Sequence, residues 1–102
     1  MKDQRKILSA ISKNAELSNF EKAVYRAILG IPAGRVRSYK WVAKAIGRPG
    51  SCRAVGNALN KNPYPVMVPC HRVIRSDGSI GGFARGLKAK RRLLKKEGVD
   101  WA

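Results

Sequence analysis

Apolar residues recur at helical spacing along most of this chain, and proline, glycine and capping residues mark the breaks. In residues 3–13, Ile7, Leu8 and Ile11 fall on one side of a 3.6-residue period, which predicts a short amphipathic helix. Ser18 and Glu21 form a capping-box pair ahead of the apolar positions Phe20, Val24, Ile28 and Leu29. Gly30, Pro32 and Gly34 end that helix. "RVRSY" (35–39) then reads as a short extended piece, and Ser38 as the cap of a helix carrying Trp41, Val42, Ala45 and Ile46.

A "GRPG" turn (47–50) follows, with Ser51 as the expected cap of "CRAVGNALN" (52–60). This segment has two sides. Ala54, Val55, Ala58 and Leu59 make an apolar stripe for the core, whereas Arg53, Gly56, Asn57 and Asn60 share the opposite face. Two short helices joined by a glycine-containing turn read as a helix-turn-helix, although any αα-hairpin of a bundle has the same spacing.

The pattern changes after Asn60. Prolines in "NPYPVMVP" (62–69) stop a helix, and "VMV" predicts a short buried strand. "RSDGSIGG" (75–82) holds an Asp-Gly hairpin signal. "LKAKRRLLKKEG" (87–98) predicts a basic helix with Leu87, Leu93 and Leu94 inward and Gly98 as its stop. The expected fold is mainly α with a small β hairpin, a winged helix-turn-helix-like DNA-binding domain over residues 18–102. Residues 1–17 are expected to form a short, helical N-terminal segment.

Charge changes the picture most. Of 102 residues, 22 are Lys or Arg and six are Asp or Glu, a formal net charge of +16. A small domain so imbalanced repels itself when compact, and an anionic partner relieves the repulsion. Nucleic acid fits best, because neutralising phosphates releases counterions whatever the base sequence. No helical stretch pairs a basic face with the strong aromatic or leucine-rich face of a membrane-surface helix. No run approaches the ~18 apolar residues of a membrane span. The N-terminus lacks the apolar run of a secretory leader, so a cytoplasmic site is expected, or a nuclear one in a host with a nucleus.

Cys52 and Cys70 do not make a disulfide framework. Cys52, Cys70 and His71 supply three soft ligands where structural zinc takes four, so no metal site is expected; no cofactor is expected either. Cys70 precedes the sole histidine, His71. A thiol with an ordinary pKa of about 8.5 is only a few per cent thiolate at neutral pH, but a cationic setting with His71 and Arg72 adjacent would favour the thiolate. The residues alone leave Cys70 as either a buried inert thiol or a nucleophile.

"PCHRVI" (69–74), preceded by "NP" (62–63), resembles the active-site signature of the O6-alkylguanine-DNA alkyltransferases. "SY" (38–39), "RAVGNAL" (53–59), "GGFARGL" (81–87) and "LLKKEG" (93–98) follow that family's other motifs in order and spacing, over residues 18–98. The resemblance implies direct-reversal repair of double-stranded DNA approached through the minor groove, by a protein that is a monomer without DNA. Cys70 would be nucleophile and alkyl acceptor. His71 would be its base through a bridging water, and Glu97 would orient the histidine. Asn62 would brace the turn before the cysteine, and Tyr39 would donate a proton to guanine N3. Because the base must leave the stack, Arg53 would fill its place while Gly56, Asn57 and Asn60 line the helix against the groove. Carbonyls of Cys70 and Val73, the Ala84 amide and a Phe83 wall would shape the pocket.

The chain departs from the family pattern in three places. Typical members carry a larger N-terminal domain where this chain has about 17 residues. Ala84 stands where many have serine, and Phe83 where tyrosine is common. Two rival readings remain. An alkyltransferase-like damage sensor usually has tryptophan in the cysteine's place, and a plain winged-helix regulator leaves Cys70, His71, Asn62 and Glu97 without a role.

Overall fold

The computed structural model describes residues 4–64, 67–78, 81 and 86–99. Among the described residues there are five helices and a two-stranded sheet. The helices are α1 (Gln4–Lys13), α2 (Asn19–Leu29), α3 (Tyr39–Ala45), α4 (Cys52–Asn60) and α5 (Leu87–Lys96). Strand β1 (Arg37–Ser38) pairs with β2 (Val73–Ile74), and a 3-10 turn, Cys70–Arg72, leads into β2. Among the described residues, no helix is long and apolar enough to cross a membrane.

The helices form where the apolar periodicity places them. Ile7 and Ile11 of α1 bury against α2, and Val24, Tyr25, Ile28 and Leu29 of α2 form the centre of the core. Each such side chain removed from water stabilises the fold by ~1.5–3 kcal/mol. The α2 capping box is complete. Ser18 Oγ accepts from the Glu21 amide at 3.0 Å, and a Glu21 carboxylate oxygen accepts from the Ser18 amide at 2.9 Å. Tyr25 crosses the core, and its buried hydroxyl donates to the Ala58 carbonyl at 2.6 Å, tying α2 to α4.

Helices α3 and α4 pack on each other and on α2 as the expected helix-turn-helix. Ser38 caps α3, its Oγ accepting from the Trp41 amide at 2.9 Å. Ser51 does not cap α4: its hydroxyl instead donates to the Arg48 carbonyl at 2.7 Å, closing the turn behind the helix.

Several outward positions differ from the periodic reading. Ala54 and Ala45 are exposed, and so is Leu87 at the first residue of α5, where the helix has not yet met the core. Trp41 is also exposed, with the Arg37 guanidinium 5.6 Å from its ring centre, a cation–π geometry.

The sheet is a parallel pair, not a hairpin: Arg37 lies opposite Val73 and Ser38 opposite Ile74. The Asp-Gly turn does form, with the Gly78 amide donating to Arg75 at 3.0 Å, but residues 79, 80 and 82 of the expected hairpin lie outside the described residues. In "VMV", Val66 is outside them too, Met67 is exposed and Val68 is buried. The parallel pairing has a positional consequence. Because β1 ends at the cap of α3 and β2 begins one residue after the Cys70 turn, the sheet fastens that turn to the helix-turn-helix.

Candidate active site

Cys70 opens the 3-10 turn and is buried. Asn62, just past the C-terminus of α4, reaches it across the proline-rich segment. The Asn62 side-chain amide donates to Cys70 Sγ at 2.7 Å and to the Val68 carbonyl at 3.0 Å, while its oxygen accepts from the Tyr64 amide at 2.9 Å. One side chain therefore sets the turn and solvates the sulfur. The thiol can itself donate to the Val68 carbonyl, 3.5 Å away.

Burial pushes the Cys70 thiol up, and this outweighs the opposite pull of the Asn62 hydrogen bond and the Lys90 charge. The expectation that cationic surroundings favour the thiolate is corrected here: the resting group is a thiol. Arg72, adjacent in sequence, is turned to Glu97 and supplies no hydrogen bond to the sulfur.

His71 is fully buried, with Nε2 3.0 Å from Glu97 Oε2. Glu97 lies at the C-cap of α5, where Arg72 grips it with a two-pronged contact, Nε to Oε1 at 3.0 Å and Nη2 to Oε2 at 2.6 Å. The remaining prong, Arg72 Nη1, donates to the Ile31 carbonyl at 2.7 Å. Burial alone would raise the Glu97 carboxyl, but hydrogen bonds from Arg72 and His71 hold it below its ordinary range. Burial lowers the His71 pKa, and Glu97 opposes this only in part. At neutral pH the pair is therefore a carboxylate and a neutral imidazole. An ionised carboxylate can only accept, so Nε2 carries the proton and the lone pair lies on the buried Nδ1. An imidazole in this tautomer can take a proton at Nδ1.

Lys90 was not singled out from the sequence. It is fully buried on α5, and its ammonium donates to the Val73 carbonyl at 2.7 Å. Burial lowers its pKa to about 8, partly offset by Cys70. The signal was a lysine in line with Leu94 and Glu97 on the helix's inner face, hidden among five other cations of the same helix. One lone pair of the buried Val73 carbonyl, an expected pocket group, is thus used by Lys90. The Cys70 carbonyl likewise accepts the Val73 amide.

Tyr39, the first residue of α3, is half-buried between two glycines. A Cβ on Gly56 would sit 4.0 Å from its ring, and one on Gly81, where φ is +74°, would sit 3.0 Å from its hydroxyl. Gly81 is a second contributor, to which the sequence reading gave no site role of its own. Gly56 is half-buried rather than outward, whereas Arg53, Asn57 and Asn60 are exposed along α4. Phe83 and Ala84 lie outside the described residues. The fold thus pairs Asn62 with Cys70 and Glu97 with His71 by direct hydrogen bonds at neighbouring residues of one turn, and it sets Tyr39 against α4.

Residues 19–99 match the family model for the DNA-binding domain of 6-O-methylguanine DNA methyltransferase. The methylated-DNA–protein-cysteine methyltransferase of Methanosarcina barkeri is 50% identical over 82 residues, which are 80% of this chain and 52% of that protein. That of Methanothermobacter thermautotrophicus is 45% identical over 83 residues, 81% of this chain and 46% of its own. The chain spans about half the length of these curated relatives. Among solved structures, the Mycobacterium tuberculosis OGT complex with DNA superposes with a TM-score of 0.79 at 44% identity, covering 81% of this chain and 51% of the other. Schizosaccharomyces pombe Atl1, bound to damaged DNA containing O6-carboxymethylguanine, gives 0.73 at 36% identity, covering 83% of this chain and 81% of its own.

Proposed function

Because the chain belongs to the 6-O-methylguanine DNA methyltransferase family, whose DNA-binding domain its residues 19–99 match, we propose that it repairs O6-alkylguanine by transferring the alkyl group to Cys70. The observation that carries this reading is a buried Cys70 thiol held by the Asn62 amide, with the next two residues of the same turn, His71 and Arg72, both bonded to Glu97.

The functional unit is residues 18–102. The exposed face of α4 enters the minor groove of duplex DNA, and Arg53 fills the stack vacated by the flipped guanine. Tyr39 crowds the phosphate that swings with the base. Val73 and the segment of Phe83 and Ala84 line the pocket. As Cys70 attacks the alkyl carbon, a sulfur–carbon bond forms and the bond to guanine O6 breaks. His71 Nδ1 takes the thiol proton through a bridging water, and Glu97 holds the ring in the tautomer that permits it. Tyr39 delivers a proton to guanine N3, so the base leaves neutral. No cofactor enters the balance. The thioether is not hydrolysed, so each molecule acts once.

Similarity to Atl1, most of whose length the chain covers, supports one second reading, damage binding without transfer. A single-turnover assay with an O6-methylguanine duplex separates the two. Wild type removes the methyl group stoichiometrically, while Cys70→Ser binds the duplex and removes none. Binding by wild type with no methyl loss would favour the sensor instead.

A further inference from the structure

Helix α5 has a second face that the transfer chemistry leaves unused. Lys88, Arg91, Arg92, Lys95 and Lys96 recur at i, i+3, i+4, i+7 and i+8, and all five are exposed. They lie across the helix from Lys90 and Leu94, which bury where α5 packs on the Cys70 turn. Among the described residues, no carboxylate pairs with any of the five, and Glu97 is committed to His71 and Arg72.

Concentrating like charges in this way has a cost. Each i,i+4 pair of cations destabilises a helix by roughly 0.2–0.5 kcal/mol, and a face serving solubility alone would intersperse both signs. The stripe rises ~12 Å along the axis. That length matches about three to four phosphates of one DNA strand at ~3.4 Å axial spacing.

We propose that the outward face of α5 is a second DNA-backbone site, so that one molecule holds two stretches of duplex, one at α4 and one at α5. The inference rests on the reading that α4 carries the damaged duplex. The stripe is turned away from the Cys70 segment, so the backbone it holds is not the stretch that presents its base to the thiol.

The test compares two variants of equal charge, Arg91→Gln/Arg92→Gln/Lys95→Gln on α5 and Lys6→Gln/Lys13→Gln/Lys22→Gln on α1 and α2. Affinity for undamaged duplex is measured against salt, together with capture of a labelled duplex by protein on an immobilised one. The α5 variant should make the log–log salt slope shallower by about 2 to 3 and lower capture at least about tenfold, with the α1–α2 variant changing the slope by less than about 1. Equal effects from both variants would overturn the proposal in favour of a diffuse field. Loss of binding to phosphatidylserine vesicles with the DNA slope unchanged would overturn it in favour of a membrane. The comparison uses undamaged DNA, so it stands even if wild type transfers no methyl group. Conversely, the α5 variant should keep the wild-type transfer rate at saturating protein on a short damaged duplex.

Discussion

Asn62 carries two tasks in one amide: it closes the turn after α4 and donates to the Cys70 sulfur. Asn62→Ala should therefore raise the pH at which the thiol titrates, read from the pH dependence of iodoacetamide labelling. It should also destabilise the fold by about 1–3 kcal/mol, because buried acceptors lose their donor. An unchanged titration would mean that the amide serves only the turn. The His71–Glu97 pair sets a second expectation, and its sign follows from both shifts. His71 titrates below its ordinary value of 6.5 in the folded protein, so the unfolded chain takes the proton first and stability falls as pH drops below 6.5. Glu97, also lowered in the fold, adds a further loss below its ordinary 4.5. The urea midpoint should be lower at about pH 5.5 than at about pH 7.5, and His71→Gln should flatten that difference.

The helix caps differ in a way that can be measured. Ser18 makes a reciprocal capping box, whereas Ser51 gives α4 no side-chain cap. Ser18→Ala should cost about 1 kcal/mol, and Ser51→Ala about half of that or less, both by urea denaturation. Most elements were legible in the sequence because their period and punctuation agree: α1, α2 and the α3–α4 pair lie where apolar spacing and capping residues place them. The sheet was not legible, since β1 and β2 are two residues each and pair across 36 positions, beyond the reach of any local pattern. In the site, the motif residues Cys70, His71, Asn62 and Glu97 were visible as types in order. Lys90 and the second role of Arg72 were not, because a buried cation looks like its exposed neighbours until the helix's inner face is known. The thiol's protonation state was misjudged for a related reason: net charge is a property of the whole chain, while desolvation belongs to one atom.

At the scale of the molecule, a +16 domain buries Cys70 and His71 beneath a surface rich in exposed Lys and Arg. On the proposed function, that surface gathers nucleic acid without regard to sequence, and the selectivity resides in a thiol that needs a base, a proton donor and an extruded nucleotide. Cys52, at the first residue of α4, provides an internal comparison, for it is half-buried and has no hydrogen bond to Asn62. The most direct test is peptide-level mass spectrometry after incubation with a duplex containing O6-methylguanine. The account predicts that the Cys70 peptide gains a methyl group in place of a proton, once per molecule, with the Cys52 peptide unchanged. Methyl on Cys52, or tight binding of the damaged duplex with no mass gain on either peptide, would contradict it.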